Sequence, residues 1–187
     1  MVDAGLHDLG ENRADELLAR ARDPRVRDRA ITWHMIGQCQ TNKVKALVPV
    51  VALWQSVDRV SLVDELARRA PGAHCLVQVD LSGRTGRGGC RPDALGRLVE
   101  HARTAGLAVQ GIMAIASPDT DPRPEFDEAR ALADRYDLRE RSFGMSGDFE
   151  QAVEHGSTMV RIGSALFDAD APDPGTSGLR TSPGEPG

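Results

Sequence analysis

The chain has 187 residues, of which 40% are hydrophobic and 27% charged, a balance typical of one globular domain rather than of a disordered chain. With 28 acidic against 23 basic side chains, its net charge is −5, which argues against general nucleic-acid binding. The longest apolar run, residues 46–54, is far shorter than the roughly 20 residues that span a bilayer. We therefore expect a soluble domain that binds neither nucleic acid nor membranes.

The first residues carry neither the basic nor the apolar segment of a secretory signal, so we expect a cytoplasmic protein. Cysteines stand at positions 39, 75 and 90, with no pair at the spacing of a zinc site. We interpret them as ordinary reduced thiols and expect no metal site.

Short apolar segments alternate with helical patterns along most of the chain, which predicts repeated β/α units. The predicted strands are 6–9, 32–37, 52–57, 74–81, 109–116, 141–145 and 159–162. Several are continuous apolar runs, as expected for parallel strands covered on both faces. Between them, apolar residues recur at helical spacing, most clearly from Val63, Leu95 and Ala129 onward.

Residues typical of helix boundaries agree with this assignment. Asp58, Pro92 and Pro122 stand where helices are predicted to begin, and Pro49 ends a helix that begins near Thr41. Residues 168–187 are rich in proline, glycine and acidic side chains, so we predict a disordered tail after a folded domain at 1–167.

Seven strands alternating with helices fit either an open doubly wound sheet or a (β/α)8 barrel, which usually takes about 250 residues. The chain looks one β/α unit short of that barrel, and because the first strand comes at once, the missing unit would be the first. A barrel without that unit would leave the strands at its two ends unpaired, so we expect self-association or aggregation.

Two glycine- and serine-rich segments follow the last two strands: Gly-Met-Ser-Gly-Asp at 144–148 and Ile-Gly-Ser-Ala at 162–165. Glycine lets backbone N–H groups approach an anion, serine adds a hydroxyl, and a helix N-terminus favours negative charge. Barrels commonly bind phosphate at this place, so the sequence predicts a phosphate site there.

Other polar residues lie near predicted strand ends. Arg161 adjoins the phosphate site as a fixed cation suited to a ring nitrogen or an anion, or to a salt bridge at the rim. Glu11 and Asn12 follow the first strand, while His34 lies in the second, where a satisfied core histidine is the commoner case. The arginines of the glycine-rich loop at 83–89 could attract an anion, although a solvated turn explains this loop more simply.

Seven motifs in order resemble the pyridoxal phosphate homeostasis protein family, single-domain relatives of the alanine racemase N-terminal barrel. They are Gly-Glu-Asn-Arg (10–13), Trp-His-Met-Ile-Gly-Gln-Cys-Gln-Thr-Asn-Lys (33–43), Gln-Ser-Val-Asp (55–58), Gly-Arg-Gly-Gly (86–89), Gly-Ile-Met-Ala (111–114), Gly-Met-Ser-Gly-Asp (144–148) and Val-Arg-Ile-Gly-Ser-Ala-Leu-Phe (160–167). The resemblance covers about residues 4–167. It implies a (β/α)8 barrel of the alanine racemase N-terminal type.

The resemblance also implies a function: binding pyridoxal 5′-phosphate (PLP) at the top of the barrel, and buffering it or delivering it to PLP-dependent apoenzymes, without substrate turnover. It assigns the phosphate to Ser146, Gly163 and Ser164, and the pyridine nitrogen to Arg161. The remaining residues that it places at the cofactor are Asn12, His34, Met145 and Ile162.

The sequence departs from the family at the lysine that forms the Schiff base with PLP, which ends the first barrel strand of family members. The chain has only two lysines, Lys43 and Lys45, and arginine cannot replace the amine. Three interpretations stay open. The chain is a truncated product whose remainder carries the lysine; or it binds PLP or another phosphorylated metabolite without that lysine, or through Lys43; or it is another barrel enzyme, such as a phosphosugar isomerase with His34 or Glu11 as base.

Overall fold

The computed structural model describes residues 5–27, 29–84 and 86–166. The predicted tail at 168–187 lies outside the described residues, so its disorder stays a prediction. Within the described residues, strands and helices alternate as the sequence pattern indicates.

The strands are β1 Asp8–Glu11, β2 Thr32–Met35, β3 Val51–Val57, β4 His74–Val79, β5 Ala108–Ala114, β6 Glu140–Met145 and β7 Met159–Arg161. The helices are α1 Ala14–Arg22, α2 Thr41–Leu47, α3 Val60–Arg69, α4 Pro92–Thr104, α5 Arg123–Arg135 and α6 Phe149–Glu154, followed by a 3₁₀ turn at Ser164–Leu166.

The seven strands form one parallel sheet in the order in which they occur along the chain. Consecutive parallel strands joined by helices build a barrel wall, and the described residues form a nearly closed barrel with one strand fewer than a (β/α)8 barrel. This confirms the predicted barrel class and excludes the doubly wound alternative, whose strand order would reverse within the sheet. Among the described strands, β1 pairs only with β2 and β7 only with β6. Self-association at these two edges stays a prediction.

The main hydrophobic core lies between the barrel wall and the helices. On α3, Leu62, Val63 and Leu66 are buried against the sheet, as their spacing predicts. Phe126 on α5 stacks on Phe143 of β6, with ring centroids 6.0 Å apart. The same aliphatic packing recurs along the other helices, so this layer fixes the strands whose ends carry the candidate site.

The barrel interior has two layers of different chemistry. The lower layer is a small apolar cluster built from Leu53, Leu76, Met113 and Met159. Because side chains alternate along a strand, the residue two positions further on faces the same side. On β3, β4 and β7 these residues are Gln55, Gln78 and Arg161. The corresponding residue after β5 is Ile115, which is apolar and packs on the lower cluster. The interior is therefore apolar below, and near the carboxyl ends of the strands it is polar on β3, β4 and β7.

Several predicted boundaries shift by a few residues. The first strand is Asp8–Glu11 rather than 6–9, and the fourth ends at Val79 because the chain then turns into the glycine-rich loop. Arg59, not Asp58, precedes α3 and makes no side-chain cap, while Pro122 stands just before α5 rather than in its first turn. Pro92 does occupy the first turn of α4, and α2 ends at Leu47, before Pro49.

Candidate functional site

The two glycine- and serine-rich segments meet at the carboxyl ends of β6 and β7. The Ser146 hydroxyl accepts hydrogen bonds from the backbone N–H of Gly163 at 3.1 Å and of Ala165 at 3.4 Å. Gly163 and Ser164 are exposed to solvent. The structure thus brings together Ser146, Gly163 and Ser164, and we call these residues with Ala165 the cup.

Glycine shapes the cup in two ways. Gly144 has φ +85°, and a Cβ there would lie 2.6 Å from the Cβ of Ala152 on α6, so this position needs glycine. Around Gly147 and Gly163, by contrast, an added Cβ would meet no atom within 4 Å. The cup is therefore backed by tightly packed protein and has open space at its mouth.

The rim of the cup combines a negatively charged carboxylate with the N-terminus of a short helix. The Asp148 carboxylate accepts a hydrogen bond from the Met145 N–H at 2.6 Å and so holds the turn that precedes α6. Helix α6 itself has only six residues, so the favourable field at its N-terminus is weak. The predicted residues Met145 and Ile162 directly precede Ser146 and Gly163 in the chain and so lie beside the cup. Met145 is 41% exposed and Ile162 is half-buried.

Arg161 ends β7 and points into the upper barrel, where its guanidinium makes three hydrogen bonds. Nη1 donates to the Ser142 carbonyl and hydroxyl oxygens, both at 2.7 Å, and Nη2 donates to the Ala114 carbonyl at 2.9 Å. Burial lowers the pKa of Arg161 to about 10, and the Asp148 carboxylate offsets part of this shift. The side chain is thus a rigidly held cation at neutral pH.

His34 lies on β2 and is connected to Arg161 of β7 through the neutral side chains of Gln55 and Ser142. Its Nδ1 is 2.8 Å from Nε2 of Gln55, and the Gln55 Oε1 accepts from the Ser142 hydroxyl at 2.7 Å. Its Nε2 lies 3.4 Å from Asp8. Burial lowers the pKa of His34, whereas Asp8 acts in the opposite direction. His34 is therefore a hydrogen-bonded interior residue.

At the end of β1, none of the described hydrogen bonds or ion pairs joins Glu11 or Asn12 to the cup. The Asn12 side chain is exposed, and its backbone carbonyl lies where a Cβ on Gly37 would stand, only 2.0 Å away. The Glu11 carboxylate accepts from the N–H groups of Asn12 and Arg13 and pairs with Arg20 at 3.0 Å. Glu11 thus holds the start of α1, which accounts for its burial without a catalytic role.

Lys43 lies on α2, in the outer helical layer. Its ammonium group pairs with Asp15 of α1 at 2.8 Å. This contact links two helices and gives no support to a role for Lys43 at the cup.

The glycine-rich loop after β4 folds back on its own strand. The Cys90 N–H donates to the Gln78 carbonyl, and the Gln78 side chain donates to the Gly88 carbonyl. Arg84 pairs with Asp119 at 3.2 Å, and both side chains are exposed. Hydrogen bonds therefore hold this loop against its own strand, which the expected solvated turn did not include, and anion binding by its arginines stays a prediction.

The three cysteines are unpaired thiols in the barrel wall and the outer core. Burial raises the pKa of Cys39 to about 11 and that of Cys75 and Cys90 to about 12. No group of potential metal ligands occurs among residues 5–27, 29–84 and 86–166. The thiols are therefore protonated core side chains.

Sequence reasoning did not assign a role to Gln55, Ser142 or the Ala165 N–H. Gln55 and Ser142 lie 87 residues apart in the chain, so no local motif connects them. A signal was present nonetheless: a glutamine two positions after an interior leucine, within an apolar strand, marks a buried polar group that needs partners.

Comparison with known proteins shows which family this chain belongs to. The model of the family "Alanine racemase, N-terminal domain" matches residues 1–171. The pyridoxal phosphate homeostasis protein of Aquifex aeolicus is 39% identical over 178 residues, covering 87% of this chain and 77% of the relative. This chain belongs to the pyridoxal phosphate homeostasis protein family. The Pseudomonas aeruginosa member is 33% identical, with 89% and 76% of the two chains covered.

Two solved structures illustrate how similar the fold is to that of known proteins. PipY of Synechococcus elongatus with PLP bound superimposes with a TM-score of 0.81 at 29% identity, over 89% of this chain and 84% of PipY. Alanine racemase of Clostridium difficile matches with a TM-score of 0.72 at 13% identity, over 91% and 48% of the chains, which shows the shared fold alone. Among the helices that the structure describes, none is long and apolar enough to cross a membrane.

Proposed function

We propose that this protein binds PLP at the carboxyl ends of β6 and β7 and holds it for intracellular PLP homeostasis, without turning over a substrate of its own. The single observation that carries the proposal is the cup, where two backbone N–H groups converge on the Ser146 hydroxyl beside open space. Such convergent donors suit a phosphate group. The names of the relatives and the PLP in PipY support the same ligand.

The cup and the Arg161 guanidinium suit the two ends of the cofactor, its phosphate and its ring nitrogen. Ser146, Ser164 and the N–H groups of Gly163 and Ala165 would hold the phosphate, with Met145, Ile162, Asn12 and His34 placed around the ring by family resemblance. Arg161 would face the ring nitrogen. When bound, PLP supplies an aldehyde and an electron-withdrawing pyridine ring.

Arg161 supports holding rather than catalysis. A guanidinium fixed by three hydrogen bonds to neighbouring oxygens is a cation that keeps its own protons. Facing the ring nitrogen, it disfavours protonation there and so weakens the ring as an electron sink. This is the arrangement expected of a carrier.

Within this sequence, binding relies on the cup and Arg161 rather than on a covalent bond to lysine. Lys43 pairs with Asp15, and Lys45 is an exposed residue of the same outer helix. We therefore propose non-covalent binding by this chain. Action in the cytoplasm and delivery to PLP-dependent apoenzymes are further parts of the proposal.

The test compares PLP with pyridoxal, which lacks the phosphate, by fluorescence titration of the purified chain. We expect saturable binding of PLP, and binding of pyridoxal at least tenfold weaker, because the cup donors have no anion to contact. Ser146→Ala should weaken PLP binding and leave pyridoxal binding unchanged. Equal affinity for the two compounds, or no saturation by PLP, would contradict the proposal.

Two further measurements address attachment and delivery. Borohydride reduction with PLP, followed by peptide mass spectrometry, should give no selective adduct at Lys43, with Lys43→Ala as the control. Mixing the PLP-loaded chain with a PLP-dependent apoenzyme should restore enzyme activity faster than the free PLP in equilibrium with the chain does. Selective labelling of Lys43 would contradict non-covalent binding.

The isomerase alternative receives no support from the geometry. The Glu11 carboxylate is committed to backbone N–H groups and to Arg20, and Nδ1 of His34 is committed to Gln55. We therefore propose no second function.

A further inference from the structure

The hydrogen bonds across the upper barrel have a direction that the chemistry of their donors fixes. Arginine has donors and no acceptor, so the Ser142 oxygen must accept from Arg161. The Ser142 hydrogen is then directed to Oε1 of Gln55, 2.7 Å away. This fixes the orientation of the Gln55 amide, with its oxygen toward Ser142 and its nitrogen toward His34.

The same direction continues to the histidine. Nε2 of Gln55 has two hydrogens, which point to Nδ1 of His34 at 2.8 Å and to the sulfur of Met159 at 3.1 Å. Nδ1 must therefore be the unprotonated acceptor, and the ring hydrogen of neutral His34 is on Nε2, facing Asp8. Every polar atom of the buried Gln55 amide is then satisfied.

If the ring hydrogen of His34 were on Nδ1 instead, these hydrogen bonds could not all form. A proton on Nδ1 would oppose the N–H of Gln55 and force its amide to turn over. The Ser142 oxygen would then receive hydrogens from both Gln55 and Arg161, and its own hydrogen would lose its acceptor. The position of the ring hydrogen on His34 of β2 is thus coupled to the hydrogen bond that Ser142 accepts from Arg161 of β7.

We propose that Gln55 is the positioning residue of this site: acting through Ser142, it holds Arg161 in place and keeps His34 neutral with its hydrogen on Nε2. The consequence for PLP affinity rests on the proposed function, whereas the consequence for His34 does not. Asp8 of β1 is the titratable group that the described contacts place against the His34 ring, and β3 presents the neutral Gln55, whose amide also contacts Met159 of β7.

The first test is nitrogen-15 NMR of the full chain, which reports the tautomer and pKa of each of the five histidines. His34 is assigned by comparison with His34→Gln. We expect the Nε2–H tautomer in the unsubstituted protein. In Ser142→Ala the Gln55 amide is released, so His34 should become a mixture of tautomers although Ser142 does not contact it in the described hydrogen bonds.

Gln55→Glu gives a second, opposite signature. A carboxylate still accepts from Ser142 but cannot donate to His34, so Nδ1 should gain a proton and the pKa of His34 should rise by about one unit or more. The matched control is Gln78→Leu, which removes a buried glutamine of the neighbouring strand that bonds to Gly88 instead. It should leave the His34 signals unchanged.

Fluorescence titration with PLP then tests the seating of Arg161. Gln55→Leu should weaken PLP binding about tenfold, as expected for a lost hydrogen bond to a charged network, while the control Gln78→Leu stays within about threefold. If Gln55→Leu does not fold, Ser142→Ala replaces it with the same expectation.

The outcomes separate the two proposals. If the unsubstituted chain does not bind PLP, the proposed function fails, and the NMR experiment still decides the state of His34. An Nδ1–H tautomer in the unsubstituted chain, or His34 signals unaffected by Ser142→Ala, would overturn the inference. Unchanged PLP affinity in Gln55→Leu and Ser142→Ala, with PLP binding intact, would overturn the positioning role.

Discussion

The two interior layers of the barrel show how one set of strands serves two purposes. The lower layer, Leu53, Leu76, Met113 and Met159, contains only apolar side chains and gains its stability from leaving water. The upper layer contains Gln55, Ser142 and Arg161, which are stable inside only because each finds a partner. Interior side chains low on these strands thus serve packing, whereas those near the carboxyl ends form the polar network beside the candidate site.

Breaking the lower layer should have the largest effect on stability. Leu76 is fully buried, so Leu76→Ala should lower the free energy of unfolding by about 2–5 kcal/mol through lost burial and a residual cavity. Urea denaturation followed by circular dichroism measures this change. If the layers are separate in function, the folded variant should bind PLP with unchanged affinity; a large loss of affinity would show that packing below also shapes the cup.

An intermediate effect is expected at Gly144, where the upper layer meets the cup. Gly144→Ala combines a left-handed φ with a Cβ only 2.6 Å from that of Ala152, so it should cost roughly 1–3 kcal/mol of stability. Because the segment from Gly144 carries Ser146, PLP affinity should fall as well. Gly147→Ala, which meets no atom within 4 Å, is the matched control for stability. Equal destabilisation by both would contradict the close-packing argument.

A smaller effect should follow from pH through His34. Burial holds the pKa of folded His34 below 6.5, so the unfolded chain takes up this proton at higher pH than the folded chain does. The contribution of His34 to the free energy of unfolding is therefore fully present above about pH 6.5 and is lost as the pH falls toward the folded pKa. Urea denaturation between pH 7.5 and 5.5 should show this loss, with a shallower slope in His34→Asn. An identical slope in the two proteins would refute it.

The smallest effect should come from outside both layers. The Lys43–Asp15 pair is partly exposed, so Lys43→Ala should change the free energy of unfolding by about 1 kcal/mol or less. PLP affinity should stay the same, because the pair lies between α1 and α2 rather than at the cup. Calorimetry and fluorescence titration measure the two quantities, and a lost PLP signal would place Lys43 in the site after all.

Local sequence patterns were enough to predict the alternation of strands and helices, the buried faces of the helices and the place of the cup. These features follow from periodicity, from glycine and from the rule that barrel sites lie at strand carboxyl ends, all of which act over short distances. The loops with Ser146 and Gly163 could be identified because each carries its own local signal and the fold makes neighbours of their two strands.

The polar groups that meet inside the barrel could not be predicted from local patterns and became visible in the folded chain. His34, Gln55, Ser142 and Arg161 come from four strands and are connected by hydrogen bonds whose partners lie far apart in the chain. It also placed Glu11 at the start of α1 and Lys43 against Asp15, away from the site. The physical reason is that a hydrogen bond depends on distance and direction between two atoms, which the closure and stagger of the barrel fix and a one-dimensional pattern does not.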